Sequence, residues 1–212
     1  MFSCNLCFDN GVFPEKLKIS KIIPVFKKGS RTAVSNYRPI SITSPFAKLM
    51  EKLMYSRLIT YLDKFNLLYD YQFGFRKNFS TLFAVIDVVN IINEELFDGK
   101  LVMGIFMDLQ KAFDTVNIDI LVHKLEHYGV RGTCLSWFKS YLINRSHYTV
   151  LNGIKSDTGV SQCGVPQGTV LGPLLFLIYI NDISNVVSNS KLKLFADDSN
   201  LFVTGNDMDS LF

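Results

Sequence analysis

The chain has 212 residues, 48% hydrophobic and 19% charged, with a formal net charge of +3. That balance supplies a core for one large domain or two small ones and excludes global disorder. Its longest apolar run, Leu174 to Ile180, is too short to cross a bilayer.

The charge is uneven. Residues 1–60 carry ten Lys and Arg against three Asp and Glu, and residues 61–212 carry twelve against sixteen. A basic half beside an acidic half suits a nucleic-acid groove next to a metal site, and equally an ordinary basic surface. The N-terminus lacks the basic-then-apolar pattern of a signal peptide, so an intracellular protein is expected. Cys4-x-x-Cys7 is half of a zinc ligand set; Cys134 and Cys163 do not complete it. Free thiols are expected rather than zinc.

Along the chain, Ile22 to Phe26 leads into an exposed basic turn, Lys27-Lys28-Gly29-Ser30. Asn36 to Ile40 is predicted extended, because a residue before proline avoids helix. Ser44-Pro45 opens a helix, with Phe46, Leu49, Met50, Leu53, Leu58, Tyr61, Leu62 and Phe65 at helical spacing. Ser80 opens a second, with Leu82, Val85, Ile86, Val89, Ile92 and Leu96 on one face; Asp98-Gly99 ends it. Leu101 to Met107 is apolar on both faces, the pattern of a central strand. Asp114 is placed to cap a helix running to Tyr128 and stopping at Gly129. Tyr148 to Leu151 and the turn Asn152-Gly153 predict a hairpin. Pro173 opens a buried helix to about Ile183. Lys191 to Ala196 and Asn200 to Val203 predict another hairpin, turning at Asp197-Asp198-Ser199.

Asp108 ends one apolar strand and Asp197-Asp198 follows another. Carboxylates at the ends of buried strands are costly to desolvate unless a cation meets them. Mg²⁺ favours such oxygen ligands and brings substrate phosphate with it. Two ions about 4 Å apart activate an attacking oxygen and stabilise a leaving one in phosphoryl transfer. An isolated Asp-Asp is more often a hydrophilic turn, and Asp108 is what changes the balance. The Leu109 carbonyl is a candidate further ligand. Phe113 is either a core aromatic or a wall against the sugar of a nucleotide, and Lys111 either a surface charge or a phosphate contact. The loop Gly164-Val165-Pro166-Gln167-Gly168 lets a backbone approach a ligand and offers the Gln167 amide; alone it reads as a plain turn. Lys28 and Arg38 suit a triphosphate and Arg76 a template phosphate, although each by itself reads as a surface charge.

Together these segments resemble the reverse transcriptase domain of jockey-like retrotransposons that lack long terminal repeats (LINE-type elements). The resemblance runs from about Phe13 to Phe202. It rests on Tyr37-Arg38-Pro39-Ile40-Ser41, Gln72-Phe73-Gly74-Phe75-Arg76, Phe106-x-Asp108-Leu109-x-Lys111-Ala112-Phe113-Asp114, Gly164 to Gly168 with Leu171-Gly172-Pro173, and Phe195-Ala196-Asp197-Asp198, in that order. It implies an α+β right-hand polymerase: an N-terminal extension over 1–12, then fingers over about 13–100 and a partial palm over about 101–212, a small antiparallel sheet packed on helices. It implies Asp108, Asp197 and Asp198 as catalytic carboxylates. With Leu109 they would hold two Mg²⁺ ions, Mn²⁺ serving as a substitute. It implies Lys28, Arg38, Phe113 and Gln167 at the nucleotide, with Phe113 the gate against ribonucleotides. Gln72, Arg76 and Gly168 are placed at nucleic acid.

The implied reaction copies RNA into DNA from deoxynucleoside triphosphates on a DNA primer, in the nucleus or cytoplasm and without a membrane. The family pattern continues beyond Phe212, so the thumb, the rest of the palm and an endonuclease are expected to be missing and the product to be a fragment. Three alternatives stand beside this one, the blandest being a decayed product that never folds stably. An RNA-dependent RNA polymerase would use the same carboxylates but must admit ribose, against bulky Phe113. A truncated, inactive domain would only bind RNA through its basic residues.

Overall fold

In the computed structural model the chain forms, in order, α1 (Phe2–Asp9), β1 (Ile19–Phe26), β2 (Tyr37–Ile42), α2 (Pro45–Lys64), α3 (Thr81–Phe97), β3 (Leu101–Asp108), α4 (Ile118–His127) and α5 (Gly132–Leu142). There follow β4 (Ser146–Leu151), β5 (Ile154–Lys155), β6 (Gly159–Val160), α6 (Gly172–Ile180), β7 (Ser190–Phe195) and β8 (Asp198–Gly205). The structure describes residues 2–151, 153–188 and 190–211. The chain divides into two compact units, Met1–Lys64 with Phe113–Tyr179, and Phe65–Ala112 with Ile180–Phe212. Among the described residues no helix is long and apolar enough to cross a membrane.

The first unit is built on helices and a mixed sheet. α2 starts where the Ser-Pro pair predicts, with Ser44 Oγ accepting from the Ala47 amide at 3.1 Å. Its inward face differs from expectation: Ala47, Met50, Met54, Leu58 and Leu62 are buried, while Phe46 (72% exposed), Leu49 and Leu53 face out. The helix carries more than one apolar stripe, and spacing alone does not choose between them. α4 begins later than expected, because a turn over 110–115 intervenes; Asn117 Oδ1 caps it by accepting from the Ile120 amide at 3.1 Å. Asp114 is therefore not the cap.

α5 is an element that the sequence reading missed. It supplies Trp137, Phe138, Tyr141 and Leu142, all buried. Phe13, fully buried, meets Trp137 and Tyr141 edge-on at centroid distances of 5.4 and 5.1 Å. Phe8 of α1 lies 5.6 Å from Trp137, so the N-terminal residues are packed on this core. β1 pairs antiparallel with β2 and parallel with β4, an arrangement the antiparallel expectation did not contain. Gly153, at the tip between β4 and β5, has φ 81° as a hairpin turn requires; Asn152 lies outside the described residues.

The second unit is a three-stranded antiparallel sheet, in the order β3-β8-β7, with α3 packed against β3 and β7. Ser80 caps α3, its Oγ accepting from the Phe83 amide at 3.3 Å. The expected apolar face of α3 is not the buried one. Ile91 and Glu95 are buried, and Leu82, Val85, Ile86, Val89 and Leu96 are exposed. Three strands cover only part of so broad an apolar helix.

The Glu95 carboxylate accepts from Lys100 and Lys191, both at 2.8 Å, which ties α3 to β7. β3 is an outer strand, not the central one expected, and Ile105, Phe106 (73% exposed) and Met107 are exposed. The hairpin turn also moves: β7 and β8 are joined by Ala196-Asp197, and Asp198 already belongs to β8.

Candidate active site

In the second unit β3 ends on Asp108 and β8 begins on Asp198, and the antiparallel register sets these two residues opposite each other. Directly opposed residues share one face of the sheet, with Cβ atoms about 5 Å apart. Asp197 stands beside them, on the two-residue turn. Asp108 and Asp198 are exposed and Asp197 is half-buried, so the desolvation cost anticipated for carboxylates at buried strand ends does not arise. Asp108 ends β3, at the margin of the sheet, and Asp197 and Asp198 stand where the β7–β8 hairpin turns.

Among the described residues no three His, Cys, Asp or Glu side chains already form a metal cage. Mg²⁺ does not need one: it keeps several waters and takes one or two carboxylates with the substrate's phosphates. An exposed cross-strand pair of carboxylates with a third on the adjoining turn fits that habit. Leu109, the next residue, is also exposed.

The turn itself is held from behind. Ala196 is buried and has φ 56°, positive at the first turn position alone, as in a type II′ hairpin that favours glycine there. A side chain in that region costs about 1–2 kcal/mol. Gln72 spans this residue. Its Oε1 accepts from the amides of Ala196 at 2.9 Å and Gly74 at 2.8 Å, and its Nε2 donates to the Ala196 carbonyl at 3.4 Å. Gln72 is thus buried with its amide turned to backbone, a correction to its expected place at nucleic acid. Arg76, half-buried, donates to the Tyr69 carbonyl at 2.9 Å and lies 4.4 Å over the Phe79 ring.

In the first unit the Gly164 to Gly168 loop is fastened on two sides. The amides of Gly164 and Val165 donate to the carbonyls of Val116 and Phe113, both at 2.8 Å, and the Ser41 amide of β2 donates to the Gln167 carbonyl at 2.7 Å. Gln167 Nε2 donates to Asp114 Oδ1 at 3.1 Å, the role Asp114 has in place of a helix cap. Gly164, at φ 88°, has no room for a side chain: a Cβ there would stand 2.8 Å from the Asp114 carbonyl oxygen.

Phe113 is half-buried and stacked on Phe176 at 4.6 Å. Arg38, on β2, and Lys28, beyond the end of β1, are exposed. A cleft of about 340 Å³ runs beside the loop, lined by Ser41, Asp114, Arg145, His147 and Gln167 among others. Beyond the loop, buried Glu51 accepts from the Val170 amide at 2.6 Å and the Leu171 amide at 3.4 Å; burial pushes its carboxyl above the usual range, against the pull of these amides and Arg145. Glu51 was not legible as the acceptor for these amides, since no local motif marks it.

The expected nucleotide residues Lys28, Arg38, Phe113 and Gln167 all belong to the first unit, and the carboxylates all belong to the second. Residues 25–209 match the family model for reverse transcriptase (RNA-dependent DNA polymerase). The RNA-directed DNA polymerase from mobile element jockey of Drosophila melanogaster is 35% identical over 180 residues, which cover 84% of this chain and 20% of that protein. The probable RNA-directed DNA polymerase from transposon BS of the same species is 35% identical over 178 residues, covering 81% of this chain and 19% of that protein.

Apo telomerase from Candida tropicalis superposes with a TM-score of 0.68 at 13% identity, covering 94% of this chain and 42% of that one. Telomerase from Candida albicans in complex with a fragment of telomeric RNA gives 0.67 at 11%, covering 98% and 41%. The chain therefore belongs to the reverse transcriptase family, and the likeness to jockey-type elements is borne out. At such identities the telomerase likeness shows the polymerase fold alone, here helices with small, mainly antiparallel sheets. The chain spans about a fifth of the length of the curated relatives it matches.

Proposed function

We propose that this chain is the part of a retrotransposon RNA-directed DNA polymerase that holds the catalytic carboxylates and the incoming nucleotide. The register that sets Asp108 against Asp198, with Asp197 on the adjoining turn, carries the reading. Asp108, Asp197, Asp198 and the Leu109 carbonyl would hold Mg²⁺. When bound, two such ions supply an activated attacking oxygen and a stabilised leaving one.

The chain's own residues bind and orient. Arg38 offers a planar fork of donors to a triphosphate, and Lys28 a point charge. Phe113, propped on Phe176, is the wall against the sugar, which favours deoxyribose over ribose. Gln167 holds its amide against Asp114 at the nucleotide, and Gly168, packed on Ile40 and Ser41 of β2, offers only its backbone to nucleic acid. Arg76, braced on its own loop, is the weaker nucleic-acid contact, and Gln72 is not one. In this reading RNA is the template, DNA the primer, and the stretches 13–100 and 101–212 contribute fingers and palm inside the cell.

The test is primer extension on an RNA template with Mg²⁺ and deoxynucleoside triphosphates, comparing this chain with its Asp197→Asn, Asp198→Asn variant. Extension that disappears in the variant supports the reading. A second reading is binding without chemistry, favoured by the exposed basic residues Lys27, Lys28, Arg31 and Arg38 on the β1–β2 hairpin and its turn. It is indicated by salt-sensitive RNA binding that survives Asp108→Asn, with no extension by the folded wild-type chain.

A further inference from the structure

We infer that Gln72 is the positioning residue of the carboxylate turn: its amide holds Ala196 in a left-handed conformation, so that Asp197 and Asp198 are presented together. The inference rests on the reading that these two carboxylates hold metal, and it adds a residue outside the metal-binding set. Gln72 comes from the loop before α3, far from the turn in sequence. The Gln72 loop runs alongside the end of β7. The Leu194 amide donates to the Tyr71 carbonyl at 2.9 Å and the Phe73 amide to the Leu194 carbonyl at 2.8 Å. These bonds continue the sheet by one bridge and place the Gln72 side chain where the hairpin turns.

The chemistry of an amide suits this task. The backbone of a buried residue needs partners that accept from its N–H and donate to its C=O, and a primary amide does both. Gln72 does so at one residue, Ala196, and shares its oxygen with the Gly74 amide. Both partners are buried, so water does not substitute freely. Gly74 completes the device: a Cβ there would stand 2.2 Å from the Ala196 nitrogen, so only glycine lets the two backbones approach. Ala196 has a side chain where a II′ turn favours glycine. Its positive φ has to be imposed from outside, and the Gln72 amide is the group in contact with it.

The roles of the other polar groups differ in kind. Glutamate at this position keeps the acceptor but loses the donor. Methionine keeps the length and loses both. Ala196→Gly removes the reason for the brace, because glycine takes positive φ without strain. A residue that only filled space would not be relieved by that second change.

The experiment uses the whole chain and three readouts: hydrogen exchange of the Ala196 and Asp197 amides, Mn²⁺ binding followed by electron paramagnetic resonance, and thermal unfolding. In Gln72→Met, exchange at Ala196 should rise at least tenfold, while amides inside the β3–β8 ladder keep their protection. Mn²⁺ affinity should fall at least tenfold. Gln72→Met with Ala196→Gly should recover Mn²⁺ affinity to within about threefold of wild type. Exchange at Ala196 as slow in Gln72→Met as in wild type overturns the inference, as does Mn²⁺ affinity that the variant leaves unchanged or that the double variant fails to restore.

If Gln72→Met does not fold, Gln72→Glu decides. It keeps the acceptor, so its Ala196 amide should remain protected, and an unprotected amide in a folded Gln72→Glu chain overturns the inference. Failure of the metal reading has a different signature. Wild-type Mn²⁺ binding would be absent or insensitive to Asp197→Asn, and the exchange data would still decide whether Gln72 holds the turn.

Discussion

Asp108 and Asp198 are direct partners across the β3–β8 ladder, at the last residue of one strand and the first of the next. Like charges placed opposite each other oppose folding slightly. Asp108→Asn should therefore leave the unfolding temperature equal to wild type or slightly higher, while primer extension falls on the order of a thousandfold. Thermal unfolding beside an extension assay checks both. A clear drop in stability would mean that the aspartate holds the fold instead of the reaction.

Phe113 stacks on Phe176 with an interplanar angle of 25°. Phe113→Val removes the ring and leaves a branched side chain, at a cost of about 1–2 kcal/mol for a half-buried aromatic. Ribonucleotide incorporation relative to deoxyribonucleotide should rise at least tenfold. Unchanged discrimination in a folded variant would return Phe113 to the status of a core aromatic.

The bond from Gln167 Nε2 to Asp114 Oδ1 predicts a shared phenotype. A hydrogen bond to a charged partner contributes about 1.5–3 kcal/mol. Asp114→Ala should raise KM for deoxynucleotides about tenfold or more, with a smaller change in kcat. Gln167→Ala should do the same, and the double variant should be little worse than either single one, because both act through one contact. Additive losses would separate the two residues.

Glu95 supplies a prediction in pH. Hydrogen bonds from Lys100 and then Lys191 hold its carboxyl down, from 4.5 to about 2. A depressed carboxyl in the folded state stabilises fully above the unfolded value and loses that stabilisation as pH falls from about 4.5 towards about 2. Glu95→Gln should be less stable than wild type near neutral pH, and the gap should close across that acidic window. Unfolding temperatures measured from pH 6 to pH 2 would show it; a gap that stays constant would mean that the ion pairs contribute nothing.

Much of this arrangement was readable in the chain because the cues were local. Ser44 and Ser80 act as caps through their own hydroxyls. The motif order placed Asp108 and Asp197-Asp198 at strand ends, because an apolar run followed by acid is hard to accommodate otherwise. What stayed hidden depends on partners distant in sequence. β3 looks central by composition, yet the count of strands beside it is a matter of topology. Gln72 sits in a motif full of surface cues, and only the approach of Ala196 makes it a buried brace. Trp137, Phe138, Tyr141 and Leu142 follow helical spacing, so the cue for α5 is local as well. The register of the β7–β8 turn rests on a positive φ at an alanine, which no propensity suggests.

The outer position of β3 reaches beyond catalysis. Among the described residues it has a neighbour strand on one side only, and Ile105 and Met107 on one face and Phe106 on the other are exposed. A bare apolar margin of this kind invites another polypeptide to lengthen the sheet. At high concentration a second molecule docking there would lie along the strand that ends in Asp108, so self-association and loss of activity would rise together. Ile105→Lys, by placing a charge on that margin, should keep the protein monodisperse while leaving the three aspartates in place.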